Sequence, residues 1–198
     1  MGDILTLLDA ANANGLELDD KAFAQIRQLI DQRAGIVLSE SKRSMVYNRL
    51  VRRLKQTGCS SFREYLDNLN SPTSAEWQPF VNALTTNLTS FFREDYHFPV
   101  LADFLRKNRQ SGRTLQIWCA AASTGQEPYS IAMTAIEALG ANPPVRILAT
   151  DIDTDVLATA ERAVYPVDTV SKMSAERLRT FFLKGRDGQS GMVRVRPE

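Results

Sequence analysis

The stretch "TLQIWCAAASTGQEPYSIA", residues 114–132, carries the pattern from which the fold of this chain can be predicted. An apolar run ends in a turn of small residues, and the helical pattern that follows has Pro128 at its first position and Gly140 just past its end. A second apolar run, "VRILATDID", covers residues 145–153, and a further helix is expected over about 155–164. Strand, helix and strand joined by short loops predict a βαβ unit. We therefore expect two buried strands in a doubly wound, Rossmann-like α/β domain.

Helical patterns fill the chain before this unit. Apolar spacing predicts helices near 20–34 and 41–57, each followed by a glycine. Two capping-box patterns predict further helix starts, at Ser61 with Glu64 and at Thr73 with Glu76. The sequence therefore predicts a small helical domain over 1–84, followed by an α/β domain over 85–198.

The composition narrows the class of protein. Lys and Arg number 24 against 23 Asp and Glu, so a net charge of +1 gives no global field that would recruit nucleic acid or a membrane surface. No window approaches the roughly 20 apolar residues of a membrane span. The two cysteines, Cys59 and Cys119, show no metal-ligand spacing and no disulfide framework. We expect a soluble cytoplasmic protein that holds no metal, does not insert into a membrane and, if the chain is complete, is a monomer.

The turn at 120–125 and Asp151 are expected to share one crevice, because ligands of such sheets bind beyond the carboxyl ends of the strands. Asp151 follows Gly125 by about 25 residues, near the roughly 20 at which an acid binds a ribose diol in dinucleotide enzymes. We interpret Asp151 as the ribose ligand. The alternative is a charge that stabilises the N-terminus of the next helix.

The glutamate of this stretch bears on the choice of cofactor. Glu127 would repel the pyrophosphate of a dinucleotide at the helix N-terminus, and the GxGxxG spacing is missing. S-adenosylmethionine has no phosphate and carries two positive groups, so a nearby carboxylate attracts it. The charge favours S-adenosylmethionine over NAD, although Glu127 is also a typical first-turn acid.

Three motifs then occur in order behind the helical domain: "LTTNLTSFFRE" at 84–94, "AAASTGQEPYSIA" at 120–132 and "LATDID" at 148–153. In this order the chain resembles the chemotaxis receptor methyltransferases, the CheR family. The resemblance implies methyl transfer from S-adenosylmethionine to glutamate side chains of chemoreceptors, giving glutamate methyl esters and S-adenosylhomocysteine. The family's cofactor contacts fall on Asn87, Thr89, Arg93, Glu127 and Asp151.

The implied chemistry needs few catalytic groups. A glutamate is already ionised at neutral pH, so methylating it requires positioning and exclusion of water, and no general base. Arg93 is the candidate for positioning, because its guanidinium can hold a carboxylate in a forked grip. We expect His97 to pack or cap near a helix start, Phe91 and Phe92 to pack, and Cys119 to lie in the core.

The segment "SKRSMVYNRLVRRLKQTG" is the one basic stretch. Lys42, Arg49, Arg52 and Arg53 fall within roughly 100° of one helix face and have no acidic residue four positions away. The resemblance implies that this face docks the acidic helices in the cytoplasmic domain of chemoreceptors. A merely solvated face is the alternative, and nucleic acid is disfavoured because no aromatic residues are interleaved for stacking.

Family members continue past the position of Glu198 with further strands, helices and cofactor contacts. Two strands alone would leave open edges, so the α/β domain is expected to be truncated in this chain. Another class of function stays open beside the methyltransferase: a non-catalytic S-adenosylmethionine-binding regulatory module that docks acidic helices. A nicotinamide-dependent enzyme is a distant third.

Overall fold

The computed structural model describes residues 16–109 and 112–197. They divide into two compact units, one ending at Thr86 and the other beginning at Asn87. The first 15 residues of the predicted helical domain lie outside the described part of the chain.

The first unit is helical. Its α-helices are α1 (Asp20–Ala34), α2 (Arg43–Thr57), α3 (Phe62–Asn68) and α4 (Trp77–Leu84), with a 3₁₀ turn at Glu40–Lys42. The predicted helices near 20–34 and 41–57 are confirmed. Each ends at a glycine in the left-handed region, Gly35 with φ 66° and Gly58 with φ 75°, where a side chain would be strained.

One of the two predicted helix starts is confirmed, although the Glu64 carboxylate accepts from the backbone N–H of Ser60 and does not complete the reciprocal bond of a capping box. The hydroxyl of Ser61 accepts from the backbone N–H of Glu64 and begins α3. The second prediction is wrong, because α4 begins only at Trp77 and the hydroxyl of Thr73 bonds to that of Ser71. The carboxylate of Glu76 is not available for a cap, since side chains of α2 and α3 bind it instead, as described below.

A continuous apolar core holds these helices together. Every helix contributes fully buried side chains, as the periodicity of 3.6 residues requires. Those without solvent exposure include Ile26, Ile30, Leu50, Leu54 and Phe80.

The second unit contains the predicted βαβ unit. Its elements are α5 (His97–Asn108), β1 (Leu115–Cys119), α6 (Gln126–Leu139), β2 (Val145–Ala149), α7 (Thr154–Arg162), β3 (Val164–Pro166), α8 (Ala175–Phe181), β4 (Phe182–Lys184) and β5 (Met192–Val195), with 3₁₀ turns at Val167–Val170 and Asp187–Gln189. Strands β1 and β2 pair in parallel, with Leu115 opposite Val145 and Cys119 opposite Ala149. The parallel pairing and its crossover helix are confirmed. Helix α6 starts two residues before Pro128, and α7 ends at Arg162 rather than near Val164.

The prediction that both strands are buried is wrong on one face of the sheet. Ile117 and Ile147 pack against apolar side chains of α5, α6 and α7. Trp118 and Leu148, which are register partners, are 69% and 59% exposed. An apolar run is typical of a strand covered on both faces, but the described helices cover one.

A small antiparallel sheet was not predicted. Its order is β3-β5-β4, and it packs with Phe91, Met133 and Phe181 in a second core of this unit. Strands of three or four residues are too short to show a period, so the sequence carried no pattern for them.

Two properties of the described residues bear on function. No helix among them is both long and apolar enough to cross a membrane. Nor do three or more of their His, Cys, Asp or Glu side chains come together as a metal site would need.

Candidate cofactor site

The loop at 87–94 carries most of the predicted cofactor contacts and is held in a strained conformation. Phe92 has φ 51° and Glu94 has φ 52°, and the left-handed region costs a residue with a side chain about 1–2 kcal/mol. The backbone N–H of Phe92 donates to Oγ of Ser130 at 2.9 Å, and its ring meets Phe98 edge-on at 4.9 Å. Strain of this kind persists where neighbours fix it and is frequent at functional sites.

The phenylalanines of this loop pack, as expected. Phe91 is buried and meets Tyr165 and Phe182 edge-on, with ring centroids 5.1 and 5.5 Å away. Their packing anchors the loop to the antiparallel sheet and leaves the next side chain, Arg93, exposed.

Arg93 and Glu127 come together on one cavity. Its volume is about 470 Å³, and it is lined by Ser90, Arg93, Glu94, His97, Phe98, Leu101, Glu127 and Ile131. Arg93 is steadied by a hydrogen bond from its guanidinium to the carbonyl oxygen of Leu88 at 2.9 Å. Glu127 lies in the first turn of α6, where the positive end of the helix dipole favours a carboxylate. The cavity thus presents the Arg93 guanidinium and the Glu94 carboxylate from one segment of the chain, and the Glu127 carboxylate from another.

The turn at 120–125 has little room. Gly125 has φ 98°, and a Cβ there would lie 2.8 Å from both the Cβ of Ala160 and the hydroxyl of Tyr165. That hydroxyl donates to the carbonyl oxygen of Thr124 at 2.7 Å. The turn therefore requires a glycine, and residues from α7 and β3 fix its position.

Asp151 lies directly beside this turn, as predicted. Its Oδ2 accepts from the backbone N–H of Ser123 at 2.8 Å, and its Oδ1 accepts from that of Asp153 at 2.9 Å. The alternative role, stabilising the start of the next helix, belongs to Asp153, which accepts from the N–H groups of Asp155 and Val156. A carboxylate has about four acceptor positions, so Asp151 keeps capacity for a ribose diol. The ribose role stays a prediction.

Asn87 joins the same cluster. Its side-chain amide donates to Oδ2 of Asp153 at 2.7 Å. Thr89 follows in the loop and is half-buried. The described residues that line the cavity do not include Asn87, Thr89 or Asp151. The predicted contacts therefore fall into two groups, Arg93 with Glu127 on the cavity, and Asn87 with Asp151 around the turn.

Cys119 links the two groups electrostatically. Burial, together with the negative charges of Glu127 and, more weakly, Asp151, raises the pKa of its thiol to about 11. The core position predicted for Cys119 is confirmed, since the residue is 4% exposed. Both carboxylates therefore act on one point at the end of β1.

His97 lies at the start of a helix, as expected, but its side chain is exposed rather than packed. Its side chain is 62% exposed, and its Nε2 lies 3.6 Å from Oε2 of Glu94. The Tyr96 hydroxyl donates to the same Glu94 oxygen at 3.0 Å, which raises the pKa of Tyr96. His97 begins α5 and forms part of the cavity wall.

The basic face of α2 needs correction. Lys42 and Arg52 are exposed, but Arg49 donates to the carbonyl oxygens of Ala83 and Thr85 at the end of α4. Arg53 donates to the Glu76 carboxylate from Nε at 2.8 Å and from a terminal nitrogen at 2.7 Å. These hydrogen bonds raise the pKa of Arg53.

The hydroxyl of buried Tyr65 donates to that same Glu76 carboxylate at 2.8 Å. Two of the four predicted docking residues are therefore bound within their own unit. Glu76 lies directly before α4 and 23 residues from Arg53, so the spacing of charges within α2 gives no sign of it.

Some residues that support the site were not predicted. A rule for helix caps would have identified Asp153, an aspartate directly before an amphipathic helix. No local pattern marks Ser130 or Tyr165, because their partners lie 38 and 41 residues away in the chain.

Both parts of the chain match known protein domains. Residues 21–85 match the CheR methyltransferase all-alpha domain, and residues 87–197 match the CheR methyltransferase SAM binding domain. The order of a helical and an α/β domain is confirmed, and so is S-adenosylmethionine as the cofactor of the second one.

Named relatives cover most of the chain. It is 51% identical over 185 residues to a chemotaxis protein methyltransferase of Escherichia coli, covering 92% of this chain and 64% of that protein. It is 52% identical over 174 residues to chemotaxis protein methyltransferase 2 of Pseudomonas aeruginosa, covering 87% of this chain and 62% of that protein. The chain thus spans a little under two thirds of the length of these relatives. It belongs to the CheR methyltransferase family.

Proposed function

We propose that this protein transfers a methyl group from S-adenosylmethionine to glutamate side chains in the cytoplasmic domain of chemoreceptors, forming glutamate methyl esters. The family and the names of its relatives support a chemotaxis methyltransferase. The observation that carries the proposal is the pairing of Arg93 and Glu127 on one cavity. We place the reaction in the cytoplasm, where that receptor domain lies.

The charges of the cavity suit the amino-acid end of the cofactor. That end carries an ammonium and a carboxylate, which Glu127 and Arg93 match in sign. A forked guanidinium–carboxylate pair fixes orientation as well as adding binding energy. Asp151 binds the ribose side of the cofactor in this proposal, with Asn87 and Thr89 as further contacts on that side.

The reaction requires the protein to position the two reactants and does not require a general base. S-adenosylmethionine supplies an electrophilic methyl group bound to a positively charged sulfur. The substrate carboxylate is ionised at neutral pH, with a reference pKa near 4.3, so no residue has to remove a proton from it. Exposed His97 is therefore not required as a base. Arg93 can orient a carboxylate, and exclusion of water by the bound substrate would favour a reaction in which opposite charges neutralise each other.

The helical unit is proposed to dock the receptor. Its exposed basic residues Lys42 and Arg52 suit an acidic helix, and complementary charge speeds encounter and sets orientation. Arg49 and Arg53 contribute through the stability of the unit, because their guanidinium groups are already bound to α4 and Glu76.

Labelled methyl transfer tests the proposal. The protein is incubated with methyl-labelled S-adenosylmethionine and the cytoplasmic domain of a chemoreceptor, and label released by mild base as methanol is counted. Base-labile label on receptor glutamates is expected. Cofactor binding without any such label would favour the alternative, a regulatory module that binds S-adenosylmethionine without catalysis.

A further inference from the structure

Arg177, on α8, contacts two elements of the cofactor site from outside it. Its guanidinium carbon lies 4.0 Å from the centre of the Phe92 ring. The same guanidinium grips Glu137 in α6, with Nε 2.7 Å from Oε1 and a terminal nitrogen 2.8 Å from Oε2. Arg177 and Glu137 are 34% and 36% exposed, so water screens their interaction only in part.

These contacts join the two segments that carry the charges of the cavity. Phe92 directly precedes Arg93 and is one of the strained residues of the loop at 87–94. Glu137 lies on the helix whose first turn contains Glu127. Arg177 therefore bridges the segment that carries Arg93 and the segment that carries Glu127.

Phe92 is held from three directions. Ser130 binds its backbone N–H, Phe98 meets its ring edge-on, and Arg177 covers the face of the ring. The first two contacts come from the neighbouring helices α6 and α5. The third comes from the part of the chain that forms the antiparallel sheet. One planar guanidinium stacks on the Phe92 ring and makes a bidentate ion pair with Glu137, and a lysine ammonium cannot supply both contacts.

We propose that Arg177 is a positioning residue, which holds the strained Phe92 and so sets Arg93 opposite Glu127 for the amino-acid end of the cofactor. The inference rests on the cofactor placement given under Proposed function. It adds a residue remote from the cavity whose contribution is geometry at one end of the ligand.

Two ligands separate this role from general stability. S-adenosylhomocysteine carries the amino-acid end, and 5′-methylthioadenosine lacks it. Calorimetric titration of Arg177→Gln should show affinity for S-adenosylhomocysteine about ten-fold below wild type, a loss of roughly 1.4 kcal/mol. Affinity for 5′-methylthioadenosine should stay near the wild-type value.

Matched variants make the test decisive. Arg179→Gln removes an exposed arginine from the same helix and should leave both affinities unchanged. Arg177→Lys keeps the charge without the fork and should restore part of the affinity, while Glu137→Gln frees the guanidinium and should weaken S-adenosylhomocysteine binding less than Arg177→Gln. If Arg177→Gln does not fold, by circular dichroism, Arg177→Lys and Glu137→Gln carry the test.

The outcomes are distinguishable. Wild-type protein that fails to bind S-adenosylhomocysteine contradicts the proposed function itself. Wild-type binding with unchanged affinity in folded Arg177 and Glu137 variants overturns the role of Arg177 alone. Equal losses for the two ligands also overturn it, because a purely structural arginine would affect both.

Discussion

The two units of this protein differ in where their stabilising contacts come from. In the helical unit, the amphipathic faces of successive helices pack together, and side chains such as Ile26 and Phe80 have no solvent exposure. In the second unit, which has two smaller cores, the functional loops are also fixed by contacts from distant parts of the chain, as when Tyr165 binds the carbonyl oxygen of Thr124. The helical unit therefore depends on one distributed core, whereas the site of the second unit depends in addition on specific contacts between residues far apart in the chain.

The largest expected effect contrasts a glycine from each unit. Gly125→Ala would place a Cβ 2.8 Å from Ala160 and Tyr165, in backbone with φ 98°. Left-handed strain and overpacking together should cost about 3 kcal/mol. Gly35→Ala, with φ 66° and no atom within 4 Å of its Cβ, should cost only about 1 kcal/mol.

Urea unfolding followed by circular dichroism measures both losses. Gly125→Ala should also abolish S-adenosylhomocysteine binding under conditions where the protein is folded, whereas Gly35→Ala should bind normally. Equal destabilisation by the two substitutions would show that the turn at 120–125 tolerates movement, and would remove the contrast between the units.

Asp151→Ala should have the next largest effect. The substitution leaves the backbone N–H groups of Ser123 and Asp153 without their acceptor and removes the proposed ribose ligand. A lost charged hydrogen bond should weaken S-adenosylhomocysteine binding by about 1.5–3 kcal/mol. Asp168→Ala, at an exposed position of the same unit, is the matched control. Unchanged affinity in a folded Asp151→Ala protein would rule out the ribose assignment.

The basic residues of the helical unit are expected to divide into a pair that docks the receptor and a pair that stabilises the unit. Lys42→Glu with Arg52→Glu should lower receptor methylation several-fold without changing stability or cofactor affinity, and rising salt should reduce wild-type methylation, because exposed charges are screened beyond about 8 Å. Arg49→Glu with Arg53→Glu should instead lower the unfolding midpoint, since it breaks the grip on Glu76. A normal methylation rate in the first pair at every salt concentration would leave these charges as a solvated face.

The smallest expected effect concerns the pKa of Cys119. Folding favours the neutral thiol, so this contribution to stability is present below the ordinary thiol pKa of 9.0 and is lost as pH rises toward about 11. Glu127→Gln should move the titration midpoint of Cys119 back toward 9.0, seen as ultraviolet thiolate absorbance in a Cys59→Ala background. Glu176→Gln, at an exposed position, is the control and should leave the titration midpoint of Cys119 unchanged. An identical midpoint in both variants would show that Glu127 does not act on Cys119.

The sequence predicted features that depend on local periodicity. The helices around Ile26 and Leu50 follow from spacing alone, and β1 and β2 follow from two apolar runs separated by a crossover helix. Exposure of Trp118 could not be predicted, because it depends on which elements cover the sheet. Strand β5 was missed because its pairing partners, β3 and β4, are equally short and distant in the chain.

The same division applies to the candidate site. Glu127 and Asp151 were identified from charge and strand placement, and Arg93 from the resemblance. Arg53 was assigned to receptor docking and Arg177 was not predicted, since their partners Glu76 and Glu137 lie 23 and 40 residues away. A contact of that range leaves no periodic pattern in either segment.

Calorimetric titration with S-adenosylhomocysteine and with NAD, on wild type, Arg93→Gln and Glu127→Gln, tests most directly the claim that two charged segments form one cofactor site. We expect wild type to bind S-adenosylhomocysteine and not NAD. Each variant should bind S-adenosylhomocysteine at least about ten-fold more weakly, as loss of a charged hydrogen bond requires. Wild-type affinity in both folded variants would contradict the claim.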